Sequence, residues 1–218
     1  MNNIEKNELI NELELKDVLN SNDISLLQKL LINSDEEQKI FISQILVKDT
    51  TLKSEKILLN LINDKSELVR ANACDSLYNN ISTNVIKELM SKLDNDTNMV
   101  KYYAIQSLGD IVKIDTGNRQ KVIEKLKKLR ENNKDVSVNI SISKVLYQLG
   151  DKKELNILLK YLDDSNYQNR CATLNCISEI IGTNNLKKII PILKEKIKTE
   201  DSLAVKKNIE NIIKNYNS

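Results

Sequence analysis

The side chains of this chain best equipped for chemistry are three cysteines, two runs of carboxylates and a spaced series of basic residues, and none of these sets is arranged as a reaction centre. Cys171 and Cys176 stand five positions apart, which on a helix of 3.6 residues per turn places them on nearly opposite sides and prevents them from sharing a metal ion. Cys74 is distant from both. With no histidine in the chain, zinc would need thiolate and carboxylate ligands at spacings that the sequence lacks. The same absence removes the usual general base and every triad that contains one. The runs Asp35-Glu36-Glu37 and Asp163-Asp164 lie in polar breaks between apolar stretches, where short acidic side chains cap the start of a helix. Gly109, Gly150 and Gly182 follow helical segments and read as helix-end or packing positions, not as a phosphate loop. We expect no catalytic, cofactor-binding or metal-binding residues, and so no enzyme.

The basic residues are more informative because they recur. Arg70, Lys101, Arg170 and Lys206 each precede by seven positions an aliphatic marker in the series Ile45, Leu77, Leu108, Leu146, Ile177 and Ile213; Gln38 and Asn139 hold the same place before the other two. Four positions before each marker stand Phe41, Ala73, Ala104, Ile142, Thr173 and Ile209, as one helical face requires. Upstream of each such segment lies a second apolar one with steps of three and four, for example EKILLNLI or NVIKELMSKL, then a polar break rich in Asp, Asn and Ser. Ser34, Ser66, Thr97, Ser165 and Ser202 are the expected helix caps. A pattern recurring at roughly thirty to forty residues marks stacked helical pairs, none of which buries its apolar stripe alone.

Composition agrees. The 218 residues are 40% hydrophobic with 4 Gly and 1 Pro, leaving little turn chemistry for sheets and little to interrupt helices. The expected fold is all-α: a right-handed α-α superhelix, or alpha solenoid, of about six helical hairpins. It forms a single domain over 1–218, with an N-terminal capping helix over 1–21 and six hairpins over 22–216. The interval around Asp115 to Asn118 is the one extended connection. The amino terminus, MNNIEKNELINELEL, is acidic without a long apolar run and reads as neither a signal peptide nor a membrane span. Three cysteines inside helices suit a reducing cytosol, so a cytoplasmic location is expected. Charge is balanced at 33 Lys and Arg against 31 Asp and Glu, which argues against a dedicated nucleic-acid binder.

Val69-Arg70-Ala71-Asn72-Ala73 ending at Leu77, and Val100-Lys101-Tyr102-Tyr103-Ala104 ending at Leu108, resemble the HEAT repeat, in the short bacterial form also found in phycobilisome lyase-like proteins. The resemblance implies that the second helix of each pair lines a concave face. Positions two and five beyond each basic place then point inward: Ile40 and Ser43, Asn72 and Asp75, Tyr103 and Gln106, Ser141 and Lys144, Ala172 and Asn175, Asn208 and Asn211. Of these we take Asn72, Asp75, Tyr103, Gln106, Ser141, Lys144, Asn175, Asn208 and Asn211 as the candidate partner-binding residues. The strip is mostly uncharged and suits a protein or peptide better than a phosphate track. The basic residues themselves are expected to pair with turn aspartates of their own or the next unit, Asp64, Asp94, Asp96, Asp163 or Asp164, and tie the hairpins together. The function implied is a non-catalytic scaffold or regulator that binds another protein. Alternatives from the same resemblance are a DNA-binding relative of HEAT-like DNA glycosylases and a lyase or lyase-chaperone.

Overall fold

A computed structural model describes residues 3–216; residues 1, 2, 217 and 218, inside the expected bounds, lie outside the described residues. Among the described residues there are thirteen α-helices, two single-turn 3-10 segments and no strand. After α1 (Asn3–Glu14), the first helices of the pairs are α2 (Ser21–Leu30), α4 (Leu52–Leu61), α6 (Thr83–Asn95), α8 (Arg119–Asn132), α10 (Glu154–Lys160) and α12 (Leu186–Thr199). Their second helices are α3 (Glu36–Leu46), α5 (Glu67–Ser76), α7 (Asn98–Ile114), α9 (Val136–Gln148), α11 (Tyr167–Ile180) and α13 (Leu203–Tyr216). The architecture is an alpha solenoid. None of these helices is long and apolar enough to cross a membrane.

The chain falls into two compact units, Met1–Leu129 and Arg130–Ser218, divided within α8 and not at the Asp115–Asn118 turn. In the first unit α3, α5 and α7 pack side by side, with α4 and α6 against them, α2 beside α4, and α1 laid against α2 and α3. Small side chains let the second helices approach closely: Ala71, Ala73 and Ala104 are buried, and the Ser107 hydroxyl donates to the Cys74 carbonyl of α5 at 2.7 Å. In the second unit α9, α11 and α13 form the corresponding row, with α10 and α12 against them. Its core joins Leu155, Leu158, Leu174, Ile177, Ile189, Leu193 and Val205. The buried Asn185 amide secures the connection before α12, donating to the Tyr147 hydroxyl at 2.8 Å and the Ile180 carbonyl at 2.9 Å.

Helix starts follow side-chain chemistry. Ser66, Ser82 and Thr97 accept from the third N–H of the helix each precedes. Two caps fall one residue later than expected: Asp35 instead of Ser34, and Asn166 instead of Ser165. Ser34 donates its hydroxyl back to Leu30 and so terminates α2. At the other end of α9, Gly150 takes φ +115° while its N–H reaches Tyr147 and that of Asp151 reaches Leu146; this paired closure turns the chain out of the helix and favours a residue without Cβ. The first helix stops at Glu14 instead of continuing toward residue 21, because Asn20 caps α2 in a capping box with Asp23. Only Lys6, Ile10 and Leu13 of α1 are buried, and Ile4 and the following Leu15 face solvent.

Candidate partner-binding face

Two of the recurring basic residues, Arg70 and Arg170, tie one turn to the next. Arg70 donates through Nε and Nη2 to the Asp96 carboxylate of the next turn, the shortest contact being 2.8 Å, and through Nη1 to the carbonyls of Asp64 and Lys65 in its own turn. Arg170 repeats this arrangement. Its Nε and Nη2 reach Glu200 at 3.0 and 2.5 Å, Nη2 reaches Asp201 at 2.7 Å, and Nη1 reaches the Asp164 and Ser165 carbonyls. One planar guanidinium thus satisfies the carbonyls of one turn while neutralising the acid of the next, a task the single ammonium of lysine performs less completely. Burial alone would raise the Asp96 carboxyl, but hydrogen bonds from Arg70 and the Thr97 N–H outweigh it and leave it below the usual range.

The partners were only partly foreseen. Asp96 is one of the expected aspartates, whereas Arg170 uses Glu200 and Asp201. Asp94 and Asp163 instead accept from lysines of the following first helices, Lys125 and Lys196. Among the described residues Lys101 and Lys206 make no ion pair. In the first repeat the clip is made by Lys39, four residues after its cap, to Asp64 at 2.6 Å. Counted from the caps, Lys39 matches Arg70, so the register of this repeat lies one residue beyond the expected one. Gln38 is buried in the cap, Ile42 takes the buried place of Ala73, and Phe41 turns outward.

The fourth repeat has Asn139 at this position. Its amide nitrogen reaches the Asn133 carbonyl at 3.2 Å, preserving the half of the clip directed to its own turn, while its buried Oδ1 has no partner among the described residues. Asp164 occupies the place of Glu200 in the next turn and accepts from Asn169. Asn139→Arg is expected to restore the clip to Asp164 and to stabilise the protein by about 1 kcal/mol, read as a higher urea midpoint; an unchanged or lower midpoint refutes this.

With the clips assigned, positions two, six, nine and thirteen after each cap mark one face of the second helices, exposed at some positions and covered at others. In the first unit these are Glu37, Phe41 and Gln44 on α3, with Lys48 just beyond it; Leu68, Asn72 and Asp75 on α5, with Asn79 just beyond it; and Met99, Tyr103, Gln106 and Asp110 on α7. Phe41, Leu68 and Met99 are 38, 43 and 42% exposed. Asn72 is half-buried and accepts from Gln44 at 3.0 Å. Tyr103 is half-buried with its ring edge-on to Tyr102, centroids 5.3 Å apart. Asp75 is exposed, and Gln106 is buried.

The second unit presents a different face. Gln168, Asn175 and Glu179 of α11 and Ala204 and Asn211 of α13 are exposed, while Ala172 and Asn208 are half-buried. Ser141 and Lys144 of α9 are buried; Lys144 is ion-paired with Glu179, which covers the charge expected at the surface. The first unit therefore supplies aromatic and aliphatic contact area, and the second an array of amides.

The sequence reading missed another exposed row. Leu15 and Val18 before α2, Leu52 at the start of α4, Ile81 before α6 and Ile114 at the end of α7 all point into solvent from the connections between repeats of the first unit. A tally of apolar residues falling outside the helical stripes would have found them.

No protein-family model matches the chain, and no curated protein matches it. Among solved structures the chain is similar to the X-ray structure of YibA from Escherichia coli, at 17% identity and a TM-score of 0.59 over 94% of this chain and 72% of that one. A designed armadillo repeat protein aligns with 88% of this chain and 98% of its own length, at 21% identity and a TM-score of 0.38. The likeness to YibA shows a shared fold.

Proposed function

We propose that this chain is a non-catalytic scaffold or regulator of HEAT-repeat type, which recognises a partner protein on the exposed face of its second helices. The observation that carries this reading is the division of labour between positions. Arg70, Arg170 and Lys39 are consumed in joining turns, whereas Phe41, Leu68 and Met99 are exposed, and Tyr103 half-exposed, at corresponding positions of the second helices. Aromatic and long aliphatic side chains give the most contact area for the least lost freedom, and such residues dominate binding energy at protein interfaces. The thiols do not favour catalysis: burial pushes Cys74 up to about 12 and raises Cys171, away from the reactive thiolate.

Affinity capture with the full chain, followed by titration of the recovered partner, tests the reading. Tyr103→Ala is expected to weaken binding roughly tenfold, the effect of losing one central aromatic contact, and Asn72→Ala to weaken it less. Failure to recover any partner, with both variants silent in the cell, counts against the proposal. The DNA-binding alternative requires a basic track along this face, but Glu37 and Asp75 lie on it in the first unit, and Glu179 is exposed on α11 of the second. Tight duplex binding that falls steeply with salt would reverse the order of the two readings.

A further inference from the structure

Where α1 meets α3, a recess of about 140 Å³ opens beside the exposed face of the first unit. Its apolar wall is formed by Ile10 and Phe41, and its polar rim includes Asp35 and Glu37. These carboxylates are not equally available. Asp35 accepts from the Gln38 N–H as a helix cap and lies near Lys6, whose ammonium donates to the Ile32 carbonyl. Gln38 in turn donates to Asn7 at 2.8 Å. Glu37 is exposed and makes no ion pair among the described residues. The cation nearest in sequence, Lys39, is already engaged with Asp64.

A recess with one aromatic wall and an unneutralised carboxylate at its mouth matches a side chain with an apolar stem and a cationic head. Its volume is close to the roughly 150 Å³ that holds a benzene molecule in an engineered protein cavity, enough for one large side chain. The surroundings extend the match. Leu68 and Met99 share the helical position of Glu37 on the next two helices, Tyr103 shares that of Phe41, and the exposed carboxylate of Asp75 lies on the same face.

Building on the protein-binding reading above, we propose that this face docks a segment of a partner protein in which a lysine or arginine is flanked by apolar side chains. The cation enters the α1–α3 recess, its stem against Phe41 and its charge at Glu37. The flanking apolar groups lie on Leu68, Met99 and Tyr103. Charge complementarity selects this occupant: an acidic segment meets Glu37 and Asp75, and a wholly apolar one leaves the Glu37 carboxylate desolvated without a partner.

The test is selection of random short peptides displayed on phage against the full-length chain, then anisotropy titrations with the selected peptides made synthetically. Selected sequences are expected to carry Lys or Arg beside apolar residues. Glu37→Lys and Phe41→Ala are each expected to weaken binding about tenfold, and binding should decline with added salt. Glu210→Lys, the same charge change on the exposed surface of α13, should leave it unchanged. Melting curves confirm that these surface variants fold. Selected peptides that are acidic or lack cations, or that bind both variants as tightly as the parent chain, overturn this inference while leaving protein recognition standing. Recovery of no peptide counts against both.

Discussion

Arg170→Ala is expected to cost about 3 kcal/mol, lowering the melting temperature by roughly 6–12 °C for a chain of this size. The side chain of Glu200 is 1% exposed, so truncating the arginine strands a carboxylate that water cannot reach. It also removes the donor that serves the Asp164 and Ser165 carbonyls. The pair as a whole contributes less than this loss suggests, because its formation already cost the desolvation of both ions. The double variant Arg170→Met with Glu200→Leu should therefore recover much of the lost stability. If the single and double variants melt together, the clip is not the source of the effect.

Acid tests the same contact. Burial works to raise the Glu200 carboxyl, but hydrogen bonds from Arg170 and the Ser202 N–H, with the arginine's charge, hold it at about 2 against an ordinary 4.5. Because the folded value lies below the unfolded one, the unfolded chain binds more protons as pH falls from 4.5 toward 2. The stabilisation is complete above that window and lost through it. Asp64 and Asp96 are held low in the same direction, so Glu200→Gln should flatten the acid slope of stability without abolishing it.

The clips were partly legible in the sequence alone. A guanidinium recurring seven residues before a buried aliphatic is visible in sequence, and so is its need for a nearby acid. Which acid it finds depends on the length of the turn: Asp96 immediately precedes its cap, while Glu200 stands two residues before Ser202. The one-residue offset of the first repeat had a simple cause. Both Gln38-Lys39 and Ile45-Leu46 fit the pattern locally, and only the choice of Asp35 over Ser34 as cap decides between them. The offset matters for the candidate site, since it brings Phe41 and Gln44 onto the face in place of Ile40 and Ser43. Helical phase identified Asn72, Asp75 and Tyr103 on the first unit's face and Asn175, Asn208 and Asn211 on the second's. It did not reveal the burial of Gln106, Ser141 and Lys144, because phase gives direction and not the bulk of the neighbouring helices. The α1–α3 recess lay beyond sequence reasoning altogether, being made by two helices about thirty residues apart.

Leu158→Ala is expected to be comparably damaging, and its effect should be uneven along the chain. Helix α10 has only seven residues, and Lys153 before it makes no side-chain cap bond. A helix of that length does not persist on local propensity. It is held by Leu155, Leu158, Leu159 and the following Leu162, all buried in the second unit's core with Leu174 and Ile177, and by Glu154, whose carboxylate receives both terminal nitrogens of Arg130 at 2.8 and 2.9 Å. Removing a fully buried leucine leaves a cavity worth about 3 kcal/mol, within the 2–5 kcal/mol range for such truncations. Stacked repeats pass stability mainly to their immediate neighbours, so hydrogen exchange should show amides of α10 and α11 losing most protection. Those of α4 and α5, which belong to the other compact unit, should lose least. Equal loss at α4 and α10 would mean that the chain unfolds as one cooperative block, and the nearest-neighbour account of its stability would fall.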